Sequence, residues 1–134
     1  MLVASAAACH QTDYEQFTPL TLTSAPQEVT VAQLVGEYQA DAPSARARWD
    51  GVRVYFREVV VETLSRDLYP ERGSNSFTNG PVTFKIRYNS DLWTVAVGSV
   101  LDVVGEVQSM GDFFIIKDCW INIISGEVSY TVGY

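Results

Sequence analysis

Apolar and polar positions change period twice along this chain, and the changes divide it. Over residues 29–51 the apolar positions recur at helical spacing: Val31, Leu34, Val35 and Tyr38, then Ala45 and Trp49. Thr30 stands where an N-cap belongs. Asp41-Ala42-Pro43 breaks the run and restarts it, because aspartate caps a helix start and proline suits a first turn. Asp50-Gly51 stops the second run. Gly36 weakens the first run a little. These signals predict a short broken helix whose apolar stripe packs on whatever follows.

After Gly51 the period becomes two. Val52, Val54 and Phe56 share one face of a strand; Arg53, Tyr55 and Arg57 share the other. Beyond Glu58 comes Val59-Val60-Val61, and the alternation loses phase, which predicts a bulge in a long first strand. Residues 66–81 contain Pro70, Gly73, Asn75, Asn79, Gly80 and Pro81 and read as a long exposed loop, with Tyr69 and Phe77 in it. In the next strand Val82, Phe84, Ile86 and Tyr88 face one way, while Thr83, Lys85 and Arg87 face the other. Asn89-Ser90-Asp91 is a turn, and 92–97 is a short strand or a connector. Leu101, Val103, Gly105 and Val107 mark another strand, and 113–124 a last long one. Several strands joined by turns fit a small barrel or a sandwich.

The chain has 134 residues, 47% of them apolar and 19% charged, which is one globular domain with room for a core. Its formal net charge of -7 repels phosphate backbones unless cations gather on one face. The opening Met-Leu-Val-Ala-Ser-Ala-Ala-Ala-Cys is small and apolar and ends at Cys9, as lipoprotein signals end at the cysteine that is acylated. It lacks a basic start, its apolar run is short, and Ala6 stands where such signals usually carry leucine. Residues 10–27 have the polar composition of a tether. The division expected is therefore a signal remnant and tether over 1–28, a β domain with its helical preface over 29–124, and a β-like tail over 125–134. Cys9 is the candidate lipid attachment site. The other cysteine, Cys119, lies in an apolar strand and reads as a small buried hydrophobe.

Catalytic chemistry is not expected. The one histidine, His10, lies in the tether, so a Ser-His-Asp or Cys-His site has no base. There is no His/Cys spacing for a metal and no glycine-rich phosphate loop. Pairs such as Glu58/Glu62 and Asp67/Glu71 read as solvated charges. No catalytic residue, metal site or cofactor is assigned.

Short motifs in order resemble one family. Leu34-Val35-Gly36-Glu37-Tyr38-Gln39-Ala40-Asp41, then Ala45, then Trp49-Asp50-Gly51, is similar to the opening of the tRNA_anti-like family of oligonucleotide/oligosaccharide-binding (OB) folds. The resemblance continues in Val97-Gly98-Ser99-Val100-Leu101-Asp102-Val103-Val104-Gly105-Glu106-Val107 and in Ile116-Lys117-Asp118-Cys119-Trp120-Ile121. It departs at Asp41, where the family often has asparagine. It departs also at Glu58, near which the family tends to have glycine, and in the absence of cysteine from 82–88. The resemblance implies a mainly β fold, a small closed OB-like barrel preceded by a short broken helix. It also implies a secreted or lipid-anchored bacterial protein.

Two binding roles follow as expectations. The first is a non-catalytic module of the cell envelope or the extracellular space, with a protein partner or a second copy met by Tyr69 and Phe77 or by the tail, and the membrane touched only through a lipid at Cys9. The second is single-stranded nucleic acid held on a face built from Arg53, Tyr55, Arg57, Lys85 and Arg87. That face would gather cations and a ring on neighbouring strands. Against it, Asp102 and Glu106 face outward on the strand expected beside the first, where cross-strand ion pairing would occupy the cations.

Overall fold

A computed structural model describes residues 25–66, 75–87, 93–110 and 113–128. The elements are β1 (Gln27–Glu28), α1 (Val31–Ala40), α2 (Ala42–Trp49), β2 (Arg53–Val60), β3 (Thr63–Ser65), β4 (Ser76–Asn79), β5 (Val82–Ile86), β6 (Val100–Met110) and β7 (Phe113–Ser125). The described residues are mainly β with two helices.

The helices form where capping chemistry allows them. Thr30 Oγ1 accepts from the Gln33 N–H at 3.0 Å, satisfying a donor that the first turn of α1 leaves without a carbonyl. Asp41 does the same for Ser44 at the start of α2, with Pro43 in its first turn. Gly51, at φ 80°, turns the chain out of α2 in a conformation that a side chain would strain. Leu34, Val35, Tyr38, Ala45 and Trp49 are buried, so both predicted stripes face the core. The helices are locked to each other by Glu37, which accepts from the Trp49 indole at 2.8 Å and pairs with Arg48 at 3.1 Å. The Trp49 bond above all holds the Glu37 carboxyl below its usual pKa. Tyr38 donates to Asp50, and burial first, then this carboxylate, pushes the Tyr38 phenol up.

The strands form one sheet in the order β1-β2-β6-β7-β5-β4-β3. β1/β2 and β5/β7 are parallel; the other pairs are antiparallel. The hydrogen-bonded ladder is open among the described residues, so the closed barrel expected from the sequence is not reached as a closed ladder. Outside the two-residue edge strand β1, the two sides of the sheet are nonetheless built by one stretch of chain. β2 and β3 are separated only by Val61 and Glu62. Val61 donates to Ser99 O at 2.9 Å and accepts from Gly98 N at 2.8 Å, while Glu62 N donates to Thr78 O at 2.9 Å. At these two residues the chain passes from the β6 side of the sheet to the β4 side.

The predicted loss of phase in the first strand is a bulge. Phe56 lies opposite Val103 and Val59 opposite Leu101, so β2 carries one extra residue. Val54 and Phe56 point inward before it; Val59 and Val61 point inward after it. Glu58 makes the bend at φ 54° without being a glycine, and its N–H donates to Asp102 Oδ1 at 3.0 Å.

A second bulge, which the sequence pattern did not announce, lies in β7. Glu106 faces Lys117 and Val104 faces Trp120, while Phe84 faces Ile116 and Ile86 faces Cys119. The extra residue is thus present from both sides, and Asp118 sits in it at φ 54°. Cys119 is fully buried there, and burial pushes its thiol pKa well up. A Cβ on Gly105 would stand 2.6 Å from Ile116 Cγ2 and 2.8 Å from Cys119 Sγ, so only glycine fits beneath this bulge.

The core lies between the rolled sheet and the helices. Phe84 is at its centre, stacked on Phe77 at 4.7 Å and edge-on to Phe56 at 5.2 Å. Phe77 is therefore a core residue of β4, 0% exposed, and not the partner-contact residue expected of a loop. The reason is local: one apolar residue among Ser, Thr, Asn and Gly was too little pattern to reveal a strand. Residues 67–74, with Tyr69, lie outside the described residues. The 92–97 stretch is a connector: Trp93 and Thr94 form a tight turn, and Val95 plugs the core. No helix among the described residues is long and apolar enough to cross a membrane.

Candidate ligand-binding face

Alternation along β2 sends Arg53, Tyr55 and Arg57 to the outer face of the sheet, away from Val54 and Phe56. On β5 it sends Lys85 outward between Phe84 and Ile86, with Arg87 just beyond the strand, also exposed. The five residues predicted as a binding face therefore share one side of the sheet. They are not on neighbouring strands. β6 and β7 lie between β2 and β5, a gap of three strand spacings or about 14 Å along the sheet. Reading strands in chain order made them adjacent; the crossovers of the sheet separate them.

What fills the gap was not predicted. Register places Val104 directly opposite Tyr55 on one side and Trp120 on the other. Val104 points outward, between inward Val103 and Gly105, yet it is only 1% exposed and does not belong to the core cluster. Its two aromatic cross-strand neighbours cover it, as directly opposed residues on one sheet face do. Each ring in turn carries a guanidinium: Arg57 lies 5.5 Å from the Tyr55 ring centre and Arg87 5.3 Å from that of Trp120. Trp120 escaped the sequence reading because of the second bulge. Strict alternation from Ile116 would turn position 120 inward; the extra residue at Asp118 turns it out.

The charges on this face are balanced, in contrast to the acidic chain as a whole. Arg53, Arg57, Lys85, Arg87 and Lys117 stand against Glu28, Glu58, Asp102, Glu106 and Asp118. The expected cross-strand pairing occurs in altered form. Glu106 pairs with Lys117 at 3.6 Å, and Arg57 pairs with Glu28 at 3.0 Å. Asp102 instead accepts from the Tyr55 hydroxyl at 3.0 Å and from the Glu58 N–H, serving the ring and the bulge. The Arg57–Glu28 pair is open to water, its side chains 62% and 58% exposed, so it holds weakly and can exchange. Tyr55 and then Glu28 raise the pKa of the Arg57 guanidinium further.

The outer side of β3, β4 and β5 is chemically different. Thr63, Thr78 and Thr83 form one cross-strand row, and Ser65, Ser76 and Lys85 the next. The Thr63 and Thr78 hydroxyls share a hydrogen bond of 2.7 Å. No ring stands among these residues. Beside the β2 bulge, Thr30, Arg57, Glu58, Val60 and Asn79 line a half-open groove of about 220 Å³. The Asn79 side-chain amide is committed to the Val60 carbonyl at 2.9 Å. No group of three or more His, Cys, Asp or Glu side chains converges among the described residues. Cys9 lies outside them.

No family model matches the chain. No curated protein matches it either. The tRNA_anti-like resemblance thus has no family match behind it. A solved structure from Klebsiella pneumoniae subsp. pneumoniae MGH 78578, named a "putative nucleic acid-binding lipoprotein", is similar over 78% of this chain and 97% of that one, with a TM-score of 0.50 and 20% sequence identity. The likeness is one of fold.

Proposed function

We propose that the chain is a non-catalytic binding module on an OB-type barrel, held at the cell envelope by a lipid on Cys9, and that its ligand is single-stranded nucleic acid received on the outer face of β2, β6, β7 and β5. The observation that carries the ligand class is the row Arg57–Tyr55–Val104–Trp120–Arg87, which sets two exposed guanidiniums on one surface, each seated by an aromatic ring. The barrel reading is supported by the stretch 53–65, whose β2 is second from one edge of the sheet, beside the two-residue β1, and whose β3 is the other edge, as a bent first strand serves two sides of an OB barrel. The names carried by the fold neighbour, nucleic-acid binding and lipoprotein, agree with the reading. The absence of a catalytic role rests on the sequence alone: a lone histidine in the tether and no phosphate loop. The protein-partner role has lost Phe77, which is buried.

The test is fluorescence anisotropy of a labelled thymidine oligomer of about 20 nucleotides across a salt series. Binding at low salt should weaken with a log–log slope of about -0.7 per phosphate neutralised, and two to four contacts give a slope of about -1.5 to -3. No binding at low salt sinks the nucleic-acid role. Intact mass of membrane-extracted protein tests the anchor; an unmodified Cys9 in a bacterial host contradicts it.

A further inference from the structure

Resting on the nucleic-acid reading, we infer that the face grips the sugar-phosphate backbone through Arg57 and Arg87, and that Tyr55 and Trp120 serve as platforms for these guanidiniums and not as stacking sites for bases. The rings are the reason. Each has a guanidinium over one face and shares in covering Val104, so neither offers an open surface to a base. Stacking fixes a guanidinium plane while leaving its N–H edges directed outward, the geometry that phosphate oxygens accept in pairs. Both arginine side chains are exposed, and the ion pair that engages Arg57 is a weak, hydrated one.

The rings of the two stacks stand on β2 and β7, two strand spacings or about 10 Å apart along the sheet, and Arg87 reaches its ring from just beyond β5. A single strand lying across β6 and β7, roughly perpendicular to them, would meet one guanidinium and then the other. Between them the sealed Val104 offers no polar group to read a base edge. Glu106 and Lys117 beside it are paired with each other, and Asp102 is held by the Tyr55 hydroxyl and the Glu58 N–H, so recognition along this line is indifferent to base identity.

The experiment compares a thymidine 20-mer with an abasic 20-mer of the same phosphodiester backbone, both fluorescein-labelled, on the full chain at low salt. The inference expects the two affinities to agree within about threefold, with parallel salt slopes. It also expects Arg87→Gln to weaken both by the same factor, about three- to tenfold. Loss of more than about tenfold on removing the bases means stacking carries the binding; the inference then fails and the nucleic-acid reading survives. An Arg87→Gln protein that binds both oligomers as tightly as the parent also overturns the inference. If neither oligomer binds the parent, the nucleic-acid reading falls and takes the inference with it.

Discussion

The bulges at Glu58 and Asp118 both put a non-glycine residue at φ 54° but are held by opposite means. At Glu58 the extra residue faces water, and the bend is secured from outside by one carboxylate, Asp102, which accepts the Glu58 N–H and the Tyr55 hydroxyl. At Asp118 the extra residue turns Cys119 into the core, and the bend is secured from inside by a missing side chain at Gly105. The first is a polar device added to a strand. The second is a packing device that leaves no slack. Both shape the candidate face: the first bulge fixes Arg57 beside Tyr55, and the second turns Trp120 outward.

The contrast predicts unequal sensitivity. Gly105→Ala should have the largest effect, because its Cβ meets Ile116, Cys119 and the Lys117 carbonyl at 2.6, 2.8 and 3.0 Å. Overpacking there should cost about 2–3 kcal/mol, read as a lowered midpoint in urea unfolding. A loss under about 0.5 kcal/mol would mean that the second bulge has slack after all.

Asp102→Ala should come next. It strands a backbone donor and a phenol at the first bulge and should cost about 1–2 kcal/mol. Asp102→Asn keeps an acceptor oxygen and should cost less; if the two variants lose the same stability, the Asp102 hydrogen bonds do not hold the bend.

Smaller still is Glu58→Gly. A left-handed residue gains from losing its Cβ, but a strand glycine gives some of this back in chain entropy, leaving about 0.5 kcal/mol of stabilisation. Asp118→Gly should gain less, since aspartate tolerates that conformation better. A clear destabilisation by Glu58→Gly would show that the glutamate side chain, and not the backbone, matters at the first bulge.

The finest probe is Cys119. In a Cys9→Ser background, the buried thiol with its raised pKa should resist an aromatic disulfide reagent in the folded protein and react on unfolding. Labelling should quicken in the Gly105→Ala protein. Equal rates in the two would separate the thiol from the bulge.

Legibility in the sequence followed polar contrast. The helix pair could be read to the residue, because Thr30, Asp41, Pro43 and Gly51 each do something local and chemical. The first bulge was legible because polar residues flank it and the apolar phase visibly flips. The second, at Asp118, lies between Phe113-Phe114-Ile115-Ile116 and Cys119-Trp120-Ile121, where apolar residues on both faces hide the phase; Trp120 was hidden with it. β4 was illegible for the reverse reason, one apolar residue in a turn-rich stretch. Strand adjacency was not legible at all. Chain order placed β2 and β5 together, and long-range pairing put β6 and β7 between them.

The most direct test of the account is an amide chemical-shift titration of the ¹⁵N-labelled full chain with a thymidine 20-mer at low salt. Shifts should concentrate at Tyr55, Arg57, Val104, Arg87 and the Trp120 indole, with Thr63, Ser65, Ser76 and Thr78 nearly still. Shifts confined to that hydroxyl face, or no shifts anywhere, would contradict it.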